Sequence, residues 1–187
     1  MNCIPIYLEK RNIEISVLRL KDKTKRGEFR MFISPFVASP TPVIRRLLTL
    51  AELKPGEVFY DLGAGDGGPI ILAAQEFGAR CVGIELREDL AKRAMRRIRE
   101  LGLQDRVKVI NGDLFKISLM DADVVYLYLT TSANEKVKPK LEAELKRGAR
   151  VVSHDYKIEG WEPAKIEKFC ENPRLGFPSH TLYLYRR

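Results

Sequence analysis

Val58-Phe59-Tyr60-Asp61-Leu62-Gly63-Ala64-Gly65-Asp66-Gly67-Gly68 decides how this 187-residue chain is read. An apolar run carrying one acid enters a glycine-rich turn. A buried strand that runs into such a turn and then opens a helix lets a nucleotide-like ligand approach the backbone closely. Gly63-x-Gly65-x-x-Gly68 also satisfies the dinucleotide pattern, which is weak by itself. The carboxylates separate the ligand classes: Asp61 stands two residues before Gly63, and Asp66 lies inside the turn. A pyrophosphate on this helix N-terminus would meet both negative charges, against the usual logic of anion sites. S-adenosylmethionine (SAM) has no phosphate and presents a sulfonium and an ammonium, so acids in the turn favour it over NAD. A glycine turn that binds nothing is the third alternative.

The next strand, Cys81-Val82-Gly83-Ile84-Glu85, ends in an acid 22 positions after Gly63. An acid about 20 residues past the glycines accepts hydrogen bonds from ribose hydroxyls in either cofactor. Glu85 therefore reports a ribose, the alternative being a solvated strand end. A third strand, 106–110, leads to Asn111-Gly112-Asp113-Leu114-Phe115. Asp113 can accept from an exocyclic amine such as adenine N6, although Gly-Asp is also an ordinary turn pair.

Outward from this stretch, strands and helices alternate. The pattern predicts a helix from Pro40-Thr41-Pro42, with Thr41 as N-cap and Pro42 in the first turn. Helices over 67–77 and 88–101 follow the first two strands, the second with Leu90, Ala94, Ile98 and Leu101 on one stripe. Residues 123–129 form an almost continuous apolar run, as a central parallel strand should. A helix over 134–145 with Asn134 as N-cap, a strand over 150–153, a short strand over 156–158 and a terminal strand over 180–185 complete the domain. Repeated βα units mean an α/β, Rossmann-like, doubly wound sheet with its ligand at the carboxyl ends of the strands. Residues 1–36 read as an appended β-hairpin, with strands at 13–17 and 29–33 and a charged turn over 21–27, and residues 37–187 as the SAM-binding domain.

The net charge of +8 gathers in two clusters. Lys21, Lys23, Lys25, Arg26 and Arg30 form one; Arg87, Lys92, Arg93, Arg96, Arg97 and Arg99 lie on a predicted helix, where a solvated face explains them. Two Gln, five Asn and 31% charged residues lean toward a thermophilic source. Cys3, Cys81 and Cys170 are scattered without metal-ligand spacing, so no metal site is expected and a reducing cytoplasm fits. No apolar run reaches membrane-spanning length, and no basic start followed by an apolar run marks a secretory signal.

The tip of the fourth strand, Tyr126-Leu127-Tyr128-Leu129-Thr130-Thr131, reports the methyl acceptor. It lacks the Asn/Asp, two prolines and aromatic of enzymes that methylate base amines. No cysteine follows a proline, as cytosine C5 methylation needs. The motifs Pro40-Thr41-Pro42, Tyr60-Asp61-Leu62-Gly63-Ala64-Gly65-Asp66-Gly67, Val82-Gly83-Ile84-Glu85, Leu129-Thr130, Asn134-Glu135, Arg150-Val151-Val152-Ser153-His154, Gly160-Trp161 and His180-Thr181-Leu182-Tyr183-Leu184-Tyr185 resemble the small seven-strand, class I SAM-dependent protein lysine methyltransferases. That group includes archaeal broad-specificity enzymes and the ATP-synthase c-subunit lysine methyltransferases. The resemblance covers residues 38–187 and departs at Gly68-Pro69, where the family commonly has Arg after the Asp-Gly pair.

The resemblance implies an antiparallel terminal strand and a set of roles. Thr41 and Pro42 would close over the methionine end of SAM, with Asp61, Gly63, Ala64 and Gly65 holding that end. Glu85 and Leu86 would meet the ribose, and Asp113 and Leu114 the adenine. Leu129 would line the site, with Thr130 and Asn134 at the approach of a substrate lysine. Trp161 reads as a packing anchor, and His154 as a capped strand end or a contact to substrate. The implied partners are proteins with accessible lysines. RNA methylation using the basic clusters is the alternative, and a SAM-binding module without turnover is a third.

Overall fold

The computed structural model describes residues 21–23, 29–31, 34, 36–171 and 177–187. Residue contacts divide the chain into two units, Met1–Phe36 and Val37–Arg187. In the first, β1 (Lys21–Lys23) pairs antiparallel with β2 (Phe29–Met31), Lys21 opposite Met31. The expected strand at 13–17 lies outside the described residues. The partner of 29–31 falls instead inside the stretch read as turn.

The second unit runs α1 (Thr41–Leu50), β3 (Val58–Leu62), α2 (Gly68–Phe77), β4 (Arg80–Glu85), α3 (Glu88–Glu100), β5 (Val107–Asn111), a 3-10 turn (Leu114–Lys116), β6 (Val124–Leu127), α4 (Thr131–Glu144), β7 (Arg150–His154), β8 (Lys165–Phe169) and β9 (His180–Arg186). Its sheet is seven-stranded, in the order β5-β4-β3-β6-β7-β9-β8. β3 pairs in parallel with β4 on one side and β6 on the other, so the strand order reverses at β3. Ligands in such sheets bind at that switch point, outside the carboxyl ends. β9 runs antiparallel to both β7 and β8, giving the antiparallel terminal strand that the resemblance implies.

α1 and α3 each bury one stripe, whereas α2 buries six consecutive residues, Pro69 to Ala74. α1 buries Val43, Ile44, Leu47, Leu48 and Leu50 at helical spacing. α3 buries Leu90, Ala91, Ala94 and Ile98; Leu101, read as part of that stripe, follows the helix and is 47% exposed. Its basic face is ion-paired: Lys92 to Glu88 and Arg96 to Glu100 along the helix, Arg87 to Asp89 at its start, and Arg97 to Asp66 in the glycine turn. Every residue of β6 is buried, which is why its sequence shows no alternation.

Several expected boundaries move. Pro40, not Thr41, is the N-cap of α1: its carbonyl accepts from the N–H groups of Val43 and Ile44, and no side chain caps the helix. Thr130, not Asn134, caps α4, its Oγ1 accepting from Ala133 N at 3.3 Å. Residues 156–158 form no strand, while Lys165–Phe169 does. That edge strand carries charged residues outward and gains its order from pairing with β9 and from Glu167, which takes both guanidinium donors of Arg46.

At the amino ends of the strands, charges close on one another. Arg150, buried at the start of β7, donates to Ala51 O at 2.9 Å, Glu52 O at 3.1 Å and Glu57 Oε1 at 2.6 Å. Asp123 accepts from Val58 N at 2.8 Å and pairs with Lys146 at 2.6 Å. Although partial burial opposes it, the Lys146 pairing and the Val58 N–H hold the Asp123 carboxyl below its ordinary range.

Candidate cofactor and acceptor site

The glycine turn packs against neighbours that leave no room for side chains. Gly63, Gly65 and Gly67 all have left-handed φ, of 94°, 54° and 88°. A Cβ on Gly63 would stand 3.2 Å from Leu129 Cδ2, and one on Gly67 would stand 3.1 Å from Ala94 Cβ. The turn is therefore clamped between the tip of β6 and the face of α3. Gly63 and Ala64 both donate to Ile84 O, tying the turn to the tip of β4. The helix that follows begins with Gly68-Pro69, and Ile44 of α1 packs against that start, which places Thr41 and Pro42 on the same side of the sheet, exposed.

Asp61 and Glu85, on adjacent parallel strands, are both buried. Glu85 Oε2 accepts from Gly65 N at 2.8 Å and Oε1 from Arg87 N at 2.7 Å. A carboxylate has about four acceptor positions, so two remain for hydroxyl donors. Asp61 differs: its Oδ2 is buried with no hydrogen-bond partner. Burial, then the charges of Glu85 and Asp66, push its carboxyl well above the ordinary range. A buried, unpaired acceptor beside a second acid calls for a cation or a strong donor.

Asp66 contradicts the expectation that both turn acids bear on the ligand. Its carboxylate pairs with Arg97 Nη1 at 2.8 Å, and its carbonyl accepts from the same nitrogen at 2.8 Å. Asp61 alone then carries the charge argument, with Glu85 next to it. Arg97 is not distinguished by sequence because the five basic residues of this helix look alike until the fold brings one to the turn.

Asp113 caps the 3-10 turn, Oδ1 accepting from Phe115 N at 3.0 Å, and Leu114 is buried beside it. Asn111, to which the sequence assigned no role, donates to Glu85 O at 2.9 Å and Leu86 O at 3.2 Å and so fixes the loop after β4.

On the acceptor side, Leu129 and Thr130 are buried at the β6 tip. Asn134 is fully buried in the first turn of α4. Its Nδ2 donates to Tyr156 O at 3.2 Å and Lys157 O at 3.3 Å, while its Oδ1 has no partner. This is the reason it lies inside the helix rather than capping it: its amide holds the loop after β7. Trp161 donates Nε1–H to Glu142 at 2.8 Å and stands edge-on to Tyr185, as a packing anchor does. His154 is fully buried and stacks on Tyr128, ring centroids 3.8 Å apart.

The structure thus brings two sets of groups to one end of the sheet. One has a buried acceptor wanting positive charge, a carboxylate with spare acceptor positions and a tight backbone turn. The other has an orphaned amide oxygen. SAM fits the first set, since its ammonium and sulfonium answer Asp61 and its ribose answers Glu85.

Known proteins agree. The ANTKMT methyltransferase domain matches residues 61–165. A protein-lysine N-methyltransferase of Saccharolobus islandicus is 40% identical over 81% of this chain and 92% of its own length. The adenine nucleotide translocase lysine N-methyltransferase of Mus musculus is 34% identical over 81% of this chain, which spans 66% of that protein. The crystal structure of an RNA methyltransferase from Salinibacter ruber in complex with S-adenosyl-L-homocysteine shares 41% identity, with a TM-score of 0.74 over 80% of this chain and 93% of that one.

Proposed function

The chain belongs to the ANTKMT methyltransferase domain family, and on that premise we propose that it transfers methyl groups from SAM to lysine side-chain amines of proteins. The observation that carries the proposal is the buried, partnerless Oδ2 of Asp61 against the glycine turn. Nothing anionic would be tolerated there, and a cationic cofactor relieves it.

Asp61, Gly63, Ala64 and Gly65 hold the methionine end, with Thr41 and Pro42 closing over it. Glu85 and Leu86 receive the ribose; Asp113 and Leu114 receive the adenine. SAM, once bound, supplies an electrophilic methyl on a sulfonium. What remains for the protein is to present a neutral amine in line. Deprotonating a free lysine at pH 7 costs about 4.6 kcal/mol, from a pKa near 10.4. Burial among Leu129 and Thr130 and the nearby positive charge lower that cost. Asn134 Oδ1 accepts an N–H of the amine and turns its lone pair toward the methyl. Orientation does most of the rest, and no dedicated general base is assigned. The three scattered cysteines support a reducing, cytoplasmic setting, and the scarcity of Gln and Asn supports a heat-adapted source.

A second reading is RNA methylation. It is favoured by the Salinibacter ruber relative and by the basic residues Lys21, Lys23 and Arg30 on the hairpin. The two readings part in one experiment. The protein is incubated with methyl-labelled SAM and a whole-cell extract, and aliquots are digested with protease or nuclease. Label released only by protease and recovered as methyl-lysine supports the main reading. Label released by nuclease replaces it with the second. A protein that binds SAM and labels nothing is a binding module, and both readings fall.

A further inference from the structure

Three ligand-type atoms converge where β7 and β9 meet. His154 Nε2 lies 2.9 Å from His180 Nδ1, and Asp155 Oδ2 lies 3.4 Å from each. Ligand atoms around an ion at about 2.0–2.1 Å stand about 3.3–3.4 Å apart in a tetrahedron and about 2.9 Å apart in an octahedron. An ion about 2.05 Å from all three would sit about 0.8 Å out of their plane. We propose that His154, Asp155 and His180 bind a divalent first-row transition ion, zinc in the first instance, through two imidazole nitrogens and one carboxylate oxygen.

The groups around the three support this. The second nitrogen of each imidazole has a polar partner: His154 Nδ1 lies 3.2 Å from the Ser39 hydroxyl, and His180 Nε2 lies 3.3 Å from Glu171 Oε2. In the tautomers that donate N–H outward, both inward nitrogens offer lone pairs, as metal-bound histidines do; without an ion, the same two rings share a hydrogen bond across the 2.9 Å between them. Asp155 is held in place by its other oxygen, which accepts from Thr181 N at 2.9 Å, and by its own N–H, which donates to Thr181 O at 2.7 Å. Its φ of 64° is left-handed, one of two such non-glycine residues among those described, and a strained residue of this kind often marks a functional constraint.

The ion would clamp the end of β7 to the start of β9. It would lie one ring behind the acceptor side, since Tyr128 stacks on His154 and the carbonyl of Tyr156, next to Asp155, holds Asn134. The proposal is independent of the methyl acceptor's identity.

The test uses the full chain stripped with a chelator and titrated with Zn²⁺ by calorimetry and with Co²⁺ by visible absorption. One ion per chain is expected, with cobalt d–d bands but no thiolate charge-transfer band, which excludes the cysteines. H180A and D155N should each weaken binding at least a hundredfold, and E171Q about tenfold. Asn tolerates the left-handed backbone of Asp155, and His180 is partly exposed, so both variants should keep the wild-type circular dichroism and SAM affinity. Zinc should raise the melting temperature of the wild type and not that of D155N. A wild type that takes up no stoichiometric ion, or binding unchanged in both H180A and D155N, overturns the proposal.

Discussion

The two ends of the central sheet treat charge in opposite ways. At the amino ends, Arg150 satisfies two carbonyls and Glu57 through its terminal nitrogens, only its Nε lacking a partner, and Asp123 takes Lys146 and the Val58 N–H, so every buried charge there has an opposite charge or a carbonyl against it. At the carboxyl ends, Asp61 Oδ2 and Asn134 Oδ1 are buried without partners. A protein that only had to fold would not leave a desolvated carboxylate in that state, because burial without compensation costs stability. The amino end holds the sheet together; the carboxyl end is kept incomplete for a ligand.

Substitutions at Asp61 test this contrast most strongly. Asp61→Asn removes the charge that the cofactor's cation answers, and SAM affinity should fall a hundredfold to a thousandfold, about 3–4 kcal/mol, by calorimetry. The free protein should melt no lower at neutral pH, and should melt higher if the buried carboxylate is the burden inferred here. The sign follows from the raised carboxyl: its stabilisation is complete below the unfolded pKa and is lost as pH rises through the folded one. The advantage of Asp61→Asn over wild type should therefore grow with pH and vanish in acid. If Asp61→Asn binds SAM as well as wild type, the division between the ends fails.

Arg150→Ala should do the reverse. It leaves two carbonyls and Glu57 without their donor and should cost about 3 kcal/mol in denaturant unfolding, with the SAM dissociation constant of the folded fraction unchanged. Asn134→Ala should separate acceptor from cofactor. SAM binding should hold while methylation of the protein substrate slows about tenfold, roughly 1.4 kcal/mol; a loss of SAM affinity instead would move Asn134 to the cofactor side. The smallest effect belongs to Asp123→Asn, about 1 kcal/mol at neutral pH. Because the Asp123 carboxyl is lowered, its contribution is present above the unfolded pKa and disappears as pH falls through the folded one, so variant and wild type should converge in acid.

Much of the carboxyl end was legible in the sequence because the signals are local. Asp61, the turn glycines and Glu85 lie at strand ends whose apolar runs and spacing announce them, and a left-handed turn between strand and helix demands glycine. The cap of α4 was read as Asn134 and is Thr130. Either residue type can cap a helix, and only the loop after β7, reaching Asn134 with two carbonyls, decides which one does. The edge strand Lys165–Phe169 went unread for a related reason: its charged composition argues against a strand until β9 supplies the hydrogen bonds.

The chain by itself determined its α/β class, the alternation of its parallel strands with helices along the sequence, and the positions of the glycine turn and of the acid at the tip of the next strand, since each follows from periodicity or backbone geometry within a few residues. Tertiary structure alone decided what is done with charge. It paired Asp66 with Arg97, left Asp61 without a partner, buried Arg150 against the end of α1, and brought His154 and Asp155 to His180 across 25 residues of intervening chain. Electrostatic and metal-ligand partnerships depend on distance in space and on local desolvation, and neither is written in the spacing of residues along a chain.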